Sequence, residues 1–190
     1  MRKIVVSEFV TLDNVMEDPG GAEKFKYGGW TMPYWNDAMG KMKLDELFAS
    51  DALLLGRVTY HSFAKAWPSM KDEQGFADRM NGIPKFVVST TLEKAEWNNS
   101  KLIKGNVIEE VSKLKQQPGK DVLVAGSATL VHTLMQHNLI DEYRLLVYPV
   151  VLGGGKGLFS GDTGMKVLRL LETKTLGSGV ILLRYQPAEK

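Results

Sequence analysis

Residues 122–159 constrain the fold of this chain most, because they join two strand patterns through a helix pattern. Their sequence is VLVAGSATLVHTLMQHNLIDEYRLLVYPVVLGGGKGLF. The first strand leads through the small residues 126–129 into the helix, which places backbone N–H groups at the positive end of the helix dipole. Because such a helix start can hold a phosphate group, the segment predicts a site for a nucleotide cofactor.

Strand and helix patterns alternate along the rest of the chain and predict an α/β fold. Strands are predicted at 4–10, 52–55, 85–89, 121–125, 143–150 and 180–185, and the run at 52–55 is apolar throughout, as expected for a strand buried on both faces. Helices are predicted from residue 36 or 37, and over 59–66, 107–114 and 130–135. We expect three layers, with a mostly parallel sheet between helices and an antiparallel edge formed by the last strands. No linker-like stretch or repeat divides residues 1–190, so we expect one domain.

The composition excludes several classes of function. The net charge is only +2, with acidic and basic residues interspersed, so we expect neither a nucleic acid nor a membrane surface as a partner. The chain has no cysteine, which excludes disulfides and thiol catalysis and fits a reducing, cytoplasmic location. No apolar run approaches the roughly 20 residues that span a bilayer. His132 and His137 lie about 140° apart around a predicted helix, so we expect no metal site.

Three predicted strand ends carry small or hydroxyl-bearing residues, and in an α/β sheet ligands collect outside such ends. An arginine and hydroxyl groups there can bind a phosphate monoester through charge-assisted hydrogen bonds. The alternative is that these residues have no ligand: a glycine at the end of a strand often does no more than form a turn, and the serine of the last set can be the N-cap of the helix. The candidates are Gly56, Arg57 and Thr59 after the second strand, Ser89 and Thr90 after the third, and Gly126, Ser127, Ala128 and Thr129 after the fourth.

The standard nucleotide-binding motifs are absent from the sequence. No GxGxxG sequence follows a predicted strand, so a Rossmann site is not supported. The glycine run around Gly154 is not a P-loop, because Val150 stands where the first glycine of that motif belongs. The simplest interpretation of this run is a flexible turn after a strand.

Asp13 directly follows the first predicted strand and is the carboxylate of most interest. It is either an exposed turn residue, since Asp-Asn is common in turns, or a polar anchor for a substrate in the same crevice. A glycine-rich loop follows over residues 18–33. The aromatic residues Trp30, Tyr34 and Trp35 either pack on the core or form a wall or lid, and Trp35 is the candidate for substrate contact.

Four segments together resemble a known family. They are SEFVTLDNVMEDP near the start, LLLGRVTY, PKFVVSTTL, and the long segment that begins VAGSATLVHT. In this order they are similar to the dihydrofolate reductase-like fold, and most of all to the RibD C-terminal-domain family, named for the reductase half of a bifunctional riboflavin-biosynthesis enzyme. The resemblance implies an NADPH-dependent reductase, a homodimer, and a mixed, mostly parallel sheet with helices on both faces and an antiparallel C-terminal hairpin.

The resemblance also implies roles for the candidate residues. It places Gly56, Arg57 and Thr59 near the cofactor phosphates, Ser89 and Thr90 near the adenosine 2′-phosphate, residues 126–129 at the pyrophosphate, Gly154 among the glycines after the late strand, and Asp13 at the junction of the first strand with its loop. Thr90 stands where dihydrofolate reductases often have arginine, so NADH stays open beside NADPH. Those enzymes also set a carboxylate of the first helix against the pteridine, and Asp37 and Asp45 are candidates for it.

Two functions from different classes follow. The first is a reductase that transfers a hydride from NADPH to a small molecule, either a pteridine- or pyrimidine-like heterocycle or a carbonyl or imine compound. The protein would orient the two reactants and exclude water, while the cofactor supplies the hydride. The alternative is a non-catalytic dimeric module that binds a nucleotide as a sensor.

Overall fold

The computed structural model describes residues 1–161 and 164–188, and the other four residues of the predicted single domain lie outside this description. The described part contains eight strands and five α-helices. The strands are β1 (Ile4–Thr11), β2 (Ser50–Gly56), β3 (Lys85–Val88), β4 (Ser100–Ile103), β5 (Asp121–Val124), β6 (Glu142–Tyr148), β7 (Leu168–Thr175) and β8 (Ile181–Pro187). The helices are α1 (Asp37–Ala49), α2 (Arg57–Ala66), α3 (Phe76–Gly82), α4 (Val107–Gln116) and α5 (Ala128–Gln136).

All eight strands form one sheet in the order β4-β3-β2-β5-β1-β6-β8-β7. The six strands from β4 to β6 run parallel to one another, while β8 pairs antiparallel with both β6 and β7. The chain builds outward from β2 to β4 and then returns, so that β5 lies between β2 and β1. The mixed, mostly parallel sheet with an antiparallel C-terminal hairpin is therefore confirmed.

Helices cover both faces of this sheet, as the predicted three layers require. Successive residues of a strand point to opposite faces, so Val6 of β1 packs with α4 and α5, whereas Val5 packs with α1, α2 and α3. Both residues are fully buried. A further cluster around Tyr148 fills the space between α1 and the C-terminal hairpin. Within the described residues, no helix has the length and apolar character needed to cross a membrane.

Three elements were not predicted from the sequence. Strands β4 and β7 lie at the two edges of the sheet, where most of their side chains are partly or fully exposed, so their sequences carry more polar residues than a central strand. Helix α3 begins after Gly75, whose φ of 78° is left-handed, and the Asp72 carboxylate accepts hydrogen bonds from the backbone N–H groups of Phe76 and Ala77. Helix α2 starts at Arg57, two residues before the predicted start, which places Arg57 and Thr59 in its first turn.

Candidate functional site

Two tight turns meet at the carboxyl ends of the neighbouring strands β2 and β5. The Gly56 N–H donates to the Gly126 carbonyl oxygen at 3.0 Å, and the peptide bond between Gly126 and Ser127 is cis. A Cβ atom on Gly56 would lie 2.8 Å from the Ser127 backbone nitrogen, and one on Gly126 would lie 2.7 Å from Thr59 Oγ1. Both positions therefore require glycine. We call residues 56–59 and 126–129 the phosphate cradle.

The phosphate cradle is formed by the N-termini of α2 and α5. Gly56 and Ser127 hold the N-cap positions of these helices, and neither provides a side-chain cap to the described residues. By contrast, Asn36 and Asn106 cap α1 and α4 through their side-chain oxygens. Ser127 thus stands at the N-cap position, as one of its two predicted roles requires. Its side chain, however, makes no capping hydrogen bond among the described residues. The two uncapped helix starts leave backbone N–H groups available to an anion.

The other predicted phosphate ligands lie along the same edge of the sheet. Arg57 is exposed at the start of α2 and forms no ion pair within the described ranges 1–161 and 164–188. Val88 of β3 pairs with Gly56, so Ser89 and Thr90 emerge beside the phosphate cradle. The Ser89 hydroxyl accepts hydrogen bonds from the backbone of Thr91 and Leu92, at 3.2 and 2.9 Å, and so closes its own turn, whereas Thr90 is exposed.

Asp13 lies at the end of β1, where its carboxylate binds the segment after β6. It accepts hydrogen bonds from Thr11 Oγ1 at 2.6 Å, from the Leu152 backbone at 3.1 Å and from the Gly153 backbone at 2.8 Å. The Thr11 hydroxyl and the Gly153 N–H together hold the pKa of Asp13 below its usual value. A Cβ atom on the neighbouring Gly154 would meet open space. The role of Asp13 as a substrate anchor stays a prediction. The geometry adds a second role, which we call the latch: through these hydrogen bonds Asp13 fixes the backbone at the start of the glycine run.

The two roles of Asp13 can be separated by Asp13→Asn. If Asp13 is a latch, the substitution weakens its charge-assisted hydrogen bonds, and amide hydrogen exchange at Leu152 and Gly153 should accelerate about ten-fold. Asp45→Asn is the control, since Asp45 is exposed and, in the described part of the chain, forms its ion pair with Lys41. Unchanged exchange together with a loss of turnover would contradict the latch and favour the substrate anchor.

A cavity of about 640 Å³ opens beside the phosphate cradle, on the face covered by α1, α2 and α3. Ala125, which precedes the cradle residue Gly126, forms part of its wall. Its volume lies within the range of about 300 to 1,000 Å³ that is usual for small-molecule sites. We call it the aromatic pocket because its wall includes Phe9, Trp35, Phe63, Trp67 and Phe76.

The loop aromatics divide between the two predicted roles. Trp30 is buried, packs edge-on against Tyr148 at 5.2 Å and donates a hydrogen bond to the Glu17 carbonyl oxygen. Tyr34 also packs on Tyr148, at 5.9 Å. Trp35 is half exposed, stands edge-on to Phe9 at 6.3 Å and lines the aromatic pocket. Trp35 therefore lies in the wall of the pocket, where its contact with a substrate stays a prediction, while Trp30 and Tyr34 hold the loop on the core.

One cationic group of the aromatic pocket was missed by the sequence analysis. Lys43 Nζ lies 2.8 Å from Ser7 Oγ, 2.6 Å from Glu46 Oε2 and 5.3 Å from the centre of the Phe9 ring. Glu46, rather than Asp37 or Asp45, is the buried carboxylate of the first helix. The sequence signal was a serine within the first strand, together with a lysine and a glutamate spaced three apart on the first helix.

Glu8 is a second group that the sequence analysis missed. It lies on the central strand β1, on the α5 face, and its Oε1 atom is buried without a hydrogen-bond partner among the described residues. Burial raises the pKa of Glu8 to about 8, while Lys43 and a hydrogen bond with the Gly126 backbone act in the opposite direction. Strand β5 ends at Val124, the partner of Val6, so Glu8 faces the turn at Gly126.

A second cavity, of about 430 Å³, lies between α1 and the C-terminal hairpin. Arg144 in its wall contacts three carboxylates, those of Glu46, Asp121 and Glu142. Arg184 contacts Glu142 as well. Each of these arginines contacts two or more carboxylates, so the cavity offers an anion much less than the phosphate cradle does.

One known protein family matches most of the chain. The family model of the RibD C-terminal domain matches residues 2–182 of the chain. The uncharacterized protein YyaP of Bacillus subtilis (strain 168) is 33% identical over 187 residues, which cover 97% of this chain and 94% of YyaP.

Solved structures with the same fold extend the comparison. A putative riboflavin biosynthesis protein from Shewanella sp. PV-4 superposes with a TM-score of 0.76 at 19% identity, over 98% of this chain and 99% of that one. Dihydrofolate reductase from Enterococcus faecalis, complexed with NADP(H) and RAB-propyl, superposes with a TM-score of 0.62 at 12% identity, over 98% and 97% of the two chains. At these identities the likeness concerns the fold alone, and it confirms the predicted dihydrofolate reductase-like architecture.

Proposed function

The chain belongs to the RibD C-terminal domain family, and from that premise we propose that it is a nicotinamide-dependent reductase of a small molecule. The observation that carries the proposal is the contact of Gly56 with Gly126, which joins two uncapped helix starts directly beside the aromatic pocket. A phosphate-binding edge next to an apolar pocket suits a cofactor with a charged diphosphate and a flat reactive ring.

The residues of the phosphate cradle fit NADPH. The backbone N–H groups at the starts of α2 and α5 would bind the pyrophosphate, and Arg57, which has no ion-pair partner among the described residues, would add a positive charge. Ser89 and Thr90 would lie towards the adenosine 2′-phosphate. Thr90 brings no charge there, so NADH is the alternative cofactor. The bound cofactor would supply the hydride.

The chain itself would position the substrate and exclude water. The aromatic wall of the pocket, including Phe9 and Trp35, would stack on a flat substrate and desolvate it. Proposed substrates are small heterocycles of the pteridine or pyrimidine type, or carbonyl or imine compounds. Asp13 would contribute either directly, as a substrate anchor, or indirectly, by fixing the segment at Gly153.

Titration with NADPH and with NADH tests the cofactor proposal. Because Trp35 and Trp67 line the adjoining pocket, we expect binding to quench tryptophan fluorescence. Arg57→Ala should weaken NADPH binding about ten-fold or more, since it removes a charge-assisted hydrogen bond to phosphate. Lys3→Ala is the control, because Lys3 is an exposed cation at the amino end of β1, whereas the phosphate cradle lies at the carboxyl ends of the strands.

The two functional classes differ in the outcome of a single-turnover experiment. A reductase loaded with NADPH should oxidise it when a substrate of the proposed classes is added, with loss of absorbance at the nicotinamide band. Tight cofactor binding without oxidation by any of these compounds would favour the non-catalytic module. Failure to bind either cofactor would contradict the reductase and would also favour the non-catalytic module.

The homodimer also stays a proposal. Three apolar residues at one edge of the sheet, Val167, Leu170 and Leu171, are exposed and would be covered by a second copy of the chain. We expect sedimentation to give the mass of a dimer, and Leu170→Lys to shift the protein towards the monomer.

A further inference from the structure

We infer that Lys43 selects the substrate of the aromatic pocket: the ligand presents a carboxylate or carbonyl oxygen to the Lys43 ammonium group and an aromatic body to the pocket wall. This inference rests on the proposed function, because it names the substrate class of the same pocket. It concerns recognition of the substrate and adds no chemical step.

Lys43 has a hydrogen-bond donor left for a ligand. An ammonium group carries three N–H donors. Two of them are taken by Ser7 Oγ and Glu46 Oε2 among the described residues. The Lys43 side chain is only 15% exposed and lines the pocket, so the remaining donor lies where water is scarce and a ligand acceptor would bind strongly.

The position of the Lys43 ammonium group is fixed before a ligand arrives. Glu46, whose side chain is 2% exposed, holds Lys43 through one carboxylate oxygen and Arg144 through the other. Ser7 on β1 donates to Glu46 and accepts from Lys43. A ligand that binds this ammonium group therefore loses little entropy in ordering it.

The other charged residues of the aromatic pocket lie at its rim. Lys71, Asp72 and Glu73 are exposed on the segment before α3. The carboxylate of Asp72 is already occupied by three backbone N–H groups, those of Gln74, Phe76 and Ala77. Lys43 is therefore the charged group of the inner wall, 5.3 Å from the centre of the Phe9 ring.

This arrangement discriminates between ligand classes by charge. A ligand with an acceptor oxygen gains a charge-assisted hydrogen bond to Lys43. A ligand that presents a cation or only N–H donors cannot accept the free Lys43 N–H and leaves its own donors unsatisfied in an apolar site. A carboxylate in this position would select the opposite class, so the identity of residue 43 sets the sign of the preference.

Two probes of the same shape test the inference by isothermal titration calorimetry without cofactor. They are 2-naphthoate and 2-naphthylmethylammonium, which share an aromatic body and differ in charge. We expect the wild-type protein to bind 2-naphthoate at least about ten-fold more tightly than the amine. Lys43→Met should weaken 2-naphthoate binding about 10- to 100-fold and abolish the preference. Lys41→Met is the control, because Lys41 is exposed on the same helix and pairs with Asp45.

Three results would overturn the inference: no saturable binding of 2-naphthoate, equal or tighter binding of the amine, or undiminished 2-naphthoate affinity in Lys43→Met. Should Lys43→Met fail to fold, Lys43→Gln keeps a neutral donor near Ser7 and should still lose most of the preference. Because the assay contains no NADPH, its outcome is independent of the cofactor titration, and failure of one leaves the other result standing.

Discussion

Gly56→Ala is expected to lower the free energy of unfolding by roughly 1 to 3 kcal/mol, the usual cost of overpacking a close contact, and to remove NADPH binding. The added methyl carbon would lie 2.2 Å from Ser127 Oγ, 2.8 Å from the Ser127 backbone nitrogen and 3.0 Å from Ser127 Cβ. The hydroxyl group can rotate away, but the nitrogen belongs to the backbone. The turn at residues 126–129 must therefore move, and with it the start of α5.

Urea unfolding followed by tryptophan fluorescence measures the loss of stability, and the NADPH titration measures the loss of binding under conditions in which the variant is folded. Gly82→Ala is the matched control. A Cβ atom at Gly82 meets nothing within 4 Å, and the residue lies in a helix, where alanine is favoured over glycine. If Gly56→Ala bound NADPH as tightly as Gly82→Ala, the phosphate cradle would not be the cofactor site.

Six of the eight strands and the glycine turns could be predicted because their signals are local, whereas the edge strands β4 and β7 carry no such signal. The run from Ala52 to Gly56 is apolar throughout, as a strand with helices on both faces requires, and its glycine marks the point where the chain turns into α2. The same reasoning located β5 and the turn before α5. What could not be derived from local signals is the contact between Gly56 and Gly126, because it depends on β5 returning to lie between β2 and β1.

The inner wall of the aromatic pocket was missed for a related reason. Lys43 and Glu46 are three residues apart on a helix, and such a pair is usual on a solvated face. Only the packing of α1 over β1 brings them to Ser7, which is 36 residues from Lys43 in the sequence. The partners of Asp13 are equally remote, since its carboxylate binds the backbone of Leu152 and Gly153.

Glu8 could have been recognised from the fold class. In an alternating pattern a glutamate marks the solvent face of a strand, but a central strand of a mostly parallel sheet has no solvent face. Because β1 lies between β5 and β6 with helices on both sides, a charged residue within it is buried whichever way it points. A carboxylate in the sequence of such a strand therefore predicts a buried ionisable group.

The second large effect that we expect is a loss of stability with rising pH that Glu8→Gln removes. The unfolded chain releases the Glu8 proton near a pKa of 4.5, whereas burial holds it in the folded protein up to a pKa of about 8. Between these values unfolding releases a proton, so a rise in pH favours the unfolded state. The contribution of Glu8 should lower the free energy of unfolding by up to about 1.4 kcal/mol per pH unit in this window.

Urea unfolding at pH 5, 6.5 and 8 measures this effect as the difference between Glu8→Gln and the wild type. The two proteins should differ least at pH 5, and the variant should gain relative stability at each step towards pH 8. Glu93→Gln is the control, because Glu93 is exposed and its substitution should leave the slope unchanged. A wild type and a Glu8→Gln variant with parallel pH profiles would show that Glu8 is ionised in the folded protein at neutral pH.

The protonated state of Glu8 bears on the phosphate cradle as well. A neutral Glu8 adds no negative charge beside Gly126, where the cofactor pyrophosphate is proposed to bind, while an ionised one would repel it across a poorly solvated gap. NADPH affinity of the wild type should therefore fall as the pH rises through about 8, and that of Glu8→Gln should not. Because stability and affinity would then change over the same pH range and through the same residue, a buried acid on β1 would link the folding of the sheet to the occupancy of its cofactor site.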